Sequence, residues 1–78
     1  MDKANSNYDH YGKRIRKARL ERGYTLEEFA FTAGVGQRTL ERIENGESDP
    51  KFTTIEKIIE TLDVSYDSIF QKNKNKNN

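Results

Sequence analysis

The chain has 78 residues and a formal net charge of +1. Its length limits it to one small domain that buries only about 60% of its unfolded surface. Because it has no cysteine, it can form neither a disulfide framework nor a thiolate metal site. No apolar run approaches the roughly 20 residues of a membrane span, and residues 1–10 lack the apolar segment of a signal peptide. We therefore expect a cytoplasmic protein with no membrane partner.

The pattern along the chain predicts one folded segment between two tails. Polar, aperiodic sequence at residues 1–8 and 71–78 predicts flexible tails, so the domain covers residues 9–70. Within it, apolar residues recur with helical spacing and do not alternate as in a strand, which predicts an all-α fold. We predict helices at residues 9–22, 25–33, 36–45, 53–62 and 65–70.

The first predicted helix carries most of the positive charge. Residues 13–22 contain six basic side chains and one acid, a local charge of +5, whereas residues 47–70 contain two lysines and six acids, a local charge of −4. Opposite ends of the molecule should therefore carry opposite potentials. A basic helix that is merely solvated is the alternative explanation for the positive segment.

The second and third predicted helices are joined by residues 34–36 alone, too few for an easy antiparallel pair. Thr25 and Glu28 have the spacing of a capping box that opens the second helix. The two helices must cross steeply, and Ala30 and Gly34 are small enough to permit the approach. Apolar residues are expected beneath the crossing, at Phe29, Ala33, Val35, Leu40 and Ile43.

The third predicted helix separates its residues into two faces. The apolar side chains lie on one flank, whereas Gln37, Arg38, Glu41 and Arg42 spread along the other. This distribution indicates one face that packs on the domain and one that contacts a partner.

The fourth predicted helix begins with a second capping-box pattern, Thr53 with Glu56, and has a broad apolar face typical of a core helix. After it, the apolar content exceeds what a small core needs. The surplus predicts a contact surface, most simply that of a two-fold homodimer, although the same residues could instead cap the core. They are Val64, Tyr66, Ile69 and Phe70.

Taken together, the stretches "RLERGYTLEEFA", "TLERIENG" and "LDVSYDSIF" resemble the phage repressor and Cro type of helix-turn-helix, the XRE-like family. The resemblance runs from about Tyr11 to Phe70. It implies a five-helix repressor-like domain with the helix-turn-helix at helices 2 and 3, and a sequence-specific transcriptional regulator that binds double-stranded DNA. The third helix is then expected to enter the major groove of a pseudo-palindromic operator.

The side chains of the third helix suit this role. Arg38 and Arg42 can each pair with guanine O6 and N7, and Gln37 suits adenine N6 and N7. Glu41 can accept a hydrogen bond from a cytosine amino group and repels phosphate, which would make it a specificity filter. The alternative is that Glu41 pairs with Arg38 or with nearby lysines on the surface.

The resemblance also implies a set of positions along the DNA backbone. The family usually has glutamine where this sequence has Leu26, so that position lacks its familiar phosphate ligand, and backbone amides or Arg16 would have to substitute. Gly36 likewise stands where serine or threonine often caps the third helix. The implied phosphate-contacting positions are Arg16, Thr25, Leu26, Asn45 and Lys51.

A structural ion pair between Arg19 and Glu44 is implied by their matching positions in the family. Arg19 falls on the apolar side of the first helix, next to Ile15, and a half-buried charge requires a partner. We expect this pair to hold the recognition helix against the domain.

Catalysis finds little support in the sequence. His10 is the single histidine and has no evident base partner, and no cluster suits a metal, so we expect no enzyme, no cofactor and no small-molecule ligand. The alternative function is a protein-interaction module, such as an antitoxin-like or partner-sequestered regulator.

Overall fold

The computed structural model describes the backbone of residues 6–70 and the side chains of residues 11–70. This part of the chain forms five α-helices and no strand: α1 (Ser6–Glu21), α2 (Leu26–Ala33), α3 (Gln37–Glu44), α4 (Phe52–Leu62) and α5 (Tyr66–Ile69). The prediction of an all-α, five-helix fold is confirmed. None of these helices is long and apolar enough to cross a bilayer.

The two tail predictions fall mostly outside the described residues. Residues 1–5 and 71–78 are not described, whereas residues 6–8, assigned to the tail, form the first turn of α1. The first helix therefore begins three residues earlier than the predicted start at residue 9.

The two predicted capping boxes have different outcomes. At α2 the Glu28 N–H donates to Thr25 Oγ1 and the Thr25 N–H donates to Glu28 Oε1, at 3.0 and 3.1 Å, so the first box is confirmed. The second is wrong, because α4 begins at Phe52 with Lys51 as its N-cap and no side-chain cap. The Lys51 carbonyl accepts the N–H groups of residues 54 and 55, so the helix starts before Thr53.

The core lies where all five helices meet. α1 contacts α3 and α5, and α2 contacts α3 and α4, so α3 is held from two sides. The largest fully buried side chains of the core come from α1, α2, α3 and α4: Ile15, Phe29, Leu40, Ile43, Ile58 and Leu62. Interdigitation of these side chains determines the direction of each short helix.

A glycine in the middle of α1 permits the close approach of α1 to α3. A Cβ atom built on Gly12 would lie 2.3 Å from the Ile43 carbonyl oxygen and 2.9 Å from that of Glu44. Real Cβ atoms do not come so near to a backbone oxygen. The backbone of α1 therefore packs directly on the last turn of α3, which no other residue type allows without displacement.

The C-terminal helix is attached to α1. The Arg14 guanidinium donates to the Ile69 carbonyl at 3.1 Å. The Tyr11 and Phe70 ring centroids lie 4.6 Å apart, and Tyr66 stacks on Phe70 at 4.7 Å. These contacts close the ring of helices around the core.

We predict that Gly12→Ala destabilises the domain by about 1–3 kcal/mol, the usual cost of overpacking. At an unconstrained helical position, the same change stabilises a protein by about 1 kcal/mol, so the sign of the effect is diagnostic. Urea unfolding followed by circular dichroism measures it, with Lys17→Ala, an exposed position on the same helix, as the control. A more stable Gly12→Ala variant would show that α1 and α3 are not in backbone contact.

Candidate nucleic-acid interface

The turn between α2 and α3 is built from backbone hydrogen bonds. Gly34 has φ 77°, in the left-handed region that glycine adopts without a Cβ clash. The N–H of Gly34 donates to Phe31 O at 3.2 Å and that of Val35 to Ala30 O at 3.0 Å, which closes the end of α2. Lys57 Nζ on α4 donates to Gly34 O at 3.5 Å. The chain is thereby turned within residues 34–36.

The eight-residue helix α3 has one buried and one exposed face. Leu40, Ile43 and Glu44 are buried, and they lie on the face that contacts α1 and α2. The four residues predicted to contact bases, Gln37, Arg38, Glu41 and Arg42, are all exposed. The structure therefore brings them together on one surface and leaves it open.

The ionic contacts of this surface differ from those considered for the sequence. Among the described residues, Arg42 Nε lies 4.0 Å from Glu47 Oε1. No ion pair joins Glu41 to Arg38 there. The charges at Arg38 and Glu41 are thus available to an external partner.

Arg19 and Glu44 meet behind α3. Arg19 Nε donates to Glu44 Oε2 at 2.8 Å and Nη2 donates to Oε1 at 2.9 Å, so the contact is bidentate. Arg19 Nη1 also donates to the Tyr24 carbonyl at 2.9 Å. The two side chains are only 7% and 4% exposed. Because both carboxylate oxygens and three guanidinium nitrogens are used, the buried charges are well compensated.

Three of the predicted phosphate-contacting residues, those outside the start of α2, have exposed side chains. Arg16 on α1 and the α3 C-cap Asn45 are exposed. Lys51 is also exposed and is the N-cap of α4, at the end of the loop that follows α3. These residues present two cations and one amide to solvent.

The start of α2 contributes differently. Thr25 Oγ1 already accepts the Glu28 N–H, but its hydroxyl proton remains available as a donor. Leu26 is partly buried and packs against the core. It therefore offers a phosphate its backbone N–H and no polar side chain.

The predicted contact surface at the C-terminal end is smaller than the sequence indicated. Ile69 is 3% exposed and belongs to the core, so its assignment to a contact surface is corrected: for this residue the alternative, that it covers the core, holds. Tyr66 is 49% exposed, and Val64 and Phe70 are partly buried against the core. The exposed surface of these four residues therefore consists of Tyr66 and the partly exposed side chains of Val64 and Phe70.

Sequence reasoning missed Gly12 and Glu47. A glycine inside a helical pattern without a turn signal indicates a close backbone approach, which was the signal for Gly12. Glu47 follows Gly46, and its position over Arg42 depends on how α3 ends. Within the described residues, no group of three His, Cys, Asp or Glu side chains could hold a metal ion.

The Helix-turn-helix family model matches residues 15–69. The HTH-type transcriptional regulator SinR of Bacillus subtilis is 39% identical over 62 residues, 78% of this chain and 56% of SinR. The HTH-type transcriptional repressor RghR of the same organism is 35% identical over 65 residues, 82% of this chain and 48% of RghR. The chain spans about half the length of these curated relatives.

A solved structure extends the similarity to the fold. The restriction-modification controller protein C.AhdI from Aeromonas hydrophila aligns with a TM-score of 0.80 and 25% identity, over 83% of this chain and 98% of that chain. Nearly the whole of that solved chain thus shares the fold of the present structure.

We predict that Glu44→Gln costs about 3 kcal/mol or more of unfolding free energy, because it leaves the Arg19 charge buried without its counterion. Urea unfolding measures the loss. Glu41→Gln, the same change on the exposed face, is the control and should stay within about 0.5 kcal/mol of the parent.

A double variant, Arg19→Met with Glu44→Met, separates charge from packing. It should recover part of the loss, because replacing both buried charges by apolar side chains is often neutral. If Glu44→Gln were as stable as the parent, the pair would have no structural role.

Proposed function

The chain belongs to the Helix-turn-helix family, and from this premise we propose that it is a transcriptional regulator that binds double-stranded DNA through α3. The resemblance drawn from the sequence is thereby confirmed, and the family assignment supports the prediction that the chain is not an enzyme. The observation that carries the proposal is the division of α3 into a face held by the core and an open face bearing Gln37, Arg38, Glu41 and Arg42. Such a regulator acts where the DNA is, which we propose to be the cytoplasm.

In the proposed complex, α3 enters the major groove and α2 lies across the backbone, as in helix-turn-helix repressors generally. Arg38 and Arg42 each have a planar fork of donors that matches guanine O6 and N7, and Gln37 matches adenine. Glu41 accepts from cytosine N4 and repels phosphate where that donor is missing. Arg38 and Glu41 form no ion pair with each other or with another residue that the structure describes. They could therefore contact a base without first breaking an ion pair within residues 11–70, which supports these roles.

Sequence-independent affinity comes from contacts to the DNA backbone. We assign these to Arg16, Lys51 and the hydroxyl of Thr25, with Asn45 as an amide donor at the end of α3. At Leu26 the contribution is limited to the backbone N–H. The exposure of Arg16, Lys51 and Asn45 supports this assignment.

We further propose that the regulator is a homodimer and that its operator is pseudo-palindromic. Tyr66 is the most exposed member of the aromatic cluster formed with Tyr11 and Phe70. A two-fold axis beside α5 would cover Tyr66, Val64 and Phe70 with their counterparts. Half-sites would then be about 34–36 Å apart, one turn of DNA, or a multiple of that distance.

We predict that Arg38→Ala and Lys51→Ala have different effects on binding. The operator is first obtained by selecting bound duplexes from a random pool. Arg38→Ala, and likewise Arg42→Ala, should lose about 1–3 kcal/mol on that site and relax the preference at one base pair. Lys51→Ala should weaken all sequences alike and reduce the salt slope by about one unit.

Fluorescence titrations on the selected duplex, on single-base variants and on a scrambled duplex provide the measurement. Lys17→Ala, which removes a cation from an exposed position on α1, is the matched control for Lys51→Ala. A uniform loss for Arg38→Ala together with a base-specific loss for Lys51→Ala would reverse the assignment of the two residues.

We predict that Tyr66→Lys weakens self-association about tenfold or more, because an aromatic side chain at the centre of a two-fold interface is replaced by a pair of like charges. Sedimentation equilibrium, alone and with duplexes of one or two half-sites, measures it. Leu20→Lys is the control, since Leu20 is an equally exposed apolar residue on α1. A parent protein that stays monomeric on every duplex would favour the protein-interaction module.

A further inference from the structure

The chain after α3 folds back over the end of that helix, which places Glu47, the third residue beyond Glu44. Gly46 adopts φ 76°, its N–H donates to the Ile43 carbonyl at 3.1 Å, and the N–H of Glu47 donates to the Arg42 carbonyl at 2.8 Å. These two bonds form a Schellman motif, which folds the chain back over the last turn of a helix. The backbone therefore determines where Glu47 lies.

This placement brings a carboxylate to one of the two open-face arginines. Glu47 Oε1 lies 4.0 Å from Arg42 Nε, and the two side chains are 58% and 55% exposed. An exposed pair at this distance is weak and easily exchanged for another partner. Arg42 thus has an ion-pair partner in Glu47, but it can leave this partner for another at little cost in free energy.

The charges on this surface cancel. Arg38 and Arg42 supply two positive charges, and Glu41 and Glu47 supply two negative charges. A neutral surface gains little from the uniform negative potential of DNA, because sequence-independent affinity comes from cations that displace condensed counterions. Such a surface can bind well only where each charged group finds its own complement.

We propose that Glu47 is a specificity-determining residue, which withholds Arg42 from DNA phosphates and releases it where a guanine offers a bidentate contact. The inference rests on the proposed function. On a non-cognate duplex, Arg42 must give up Glu47 for a phosphate while the Glu47 carboxylate is repelled. On the cognate site, two hydrogen bonds to one base compensate for the exchange.

Glu47→Gln tests the proposal. It removes the charge and keeps the size of the side chain. Affinity for a scrambled duplex should rise about three- to tenfold at moderate salt, and its logarithmic salt dependence should steepen by about 0.9, as expected of one added phosphate contact. Affinity for the selected duplex should change less, so the ratio of the two affinities falls.

Two controls isolate the role of Arg42. Glu60→Gln makes the same charge change at an exposed position on α4, outside α3 and the loop that follows it, and should leave the ratio of affinities unchanged. In an Arg42→Gln background, adding Glu47→Gln should do no more than Glu60→Gln does. Thermal unfolding of each variant checks that the fold is retained.

The outcomes separate this inference from the proposed function. If the parent protein bound neither selected nor scrambled duplexes, the proposed function would fail and this inference with it. If the parent discriminated and Glu47→Gln kept the same ratio, only the role of Glu47 would be overturned. The role of Glu47 would also be overturned if Glu47→Gln raised the affinity for the scrambled duplex equally with and without Arg42. The effect would then come from the change in net charge and not from the release of Arg42.

Discussion

The buried contact between Arg19 and Glu44 is the interaction on which the arrangement of this domain depends. It joins α1 to the last turn of α3, and its third donor holds the Tyr24 carbonyl before α2 begins. Removing two charges from water is costly, and the three hydrogen bonds of this pair offset that cost. The two hydrogen bonds to Glu44 set the register of α1 on α3, and the third attaches the end of α1 to the loop before α2. Gly12 makes this register possible, because it lets the two backbones touch.

The helix α3 consequently depends on its surroundings for its stability. Eight residues are too few for an independently stable helix. Leu40 and Ile43 anchor α3 in the core, and the bonds of Gly46 and Glu47 close its end. The outward side chains of α3 take no part in this packing or in these backbone hydrogen bonds. In the proposed complex these side chains determine which DNA sequence is bound, so one fold could serve different operators.

Charge is distributed accordingly between the parts of the proposed DNA surface. The exposed cations Arg16 on α1 and Lys51 before α4 are the proposed contacts to the DNA backbone, which is the same in every sequence. On α3 and its closing loop, positive and negative groups balance, with Arg42 beside Glu47. Under the proposed function, the peripheral cations would supply affinity for any duplex, and the balanced charges of α3 would supply discrimination between sequences. Tyr66, the exposed residue of the proposed dimer surface, lies on α5, so the proposed dimer surface and the proposed base contacts on α3 belong to different elements.

Local sequence determined much of this protein. Periodicity predicted five helices, the Thr25–Glu28 spacing predicted the start of α2, and the two-faced pattern of α3 predicted its open surface, because each depends on residues within one or two turns. The family resemblance supplied the pairing of Arg19 with Glu44 across 25 positions. Only the tertiary structure decided that Ile69 is buried, that α4 begins after Lys51, that Gly12 touches α3 and that Glu47 faces Arg42. These features depend on distances between separate elements, and such distances are set by how whole side chains pack and how each helix ends, which no short window of sequence contains.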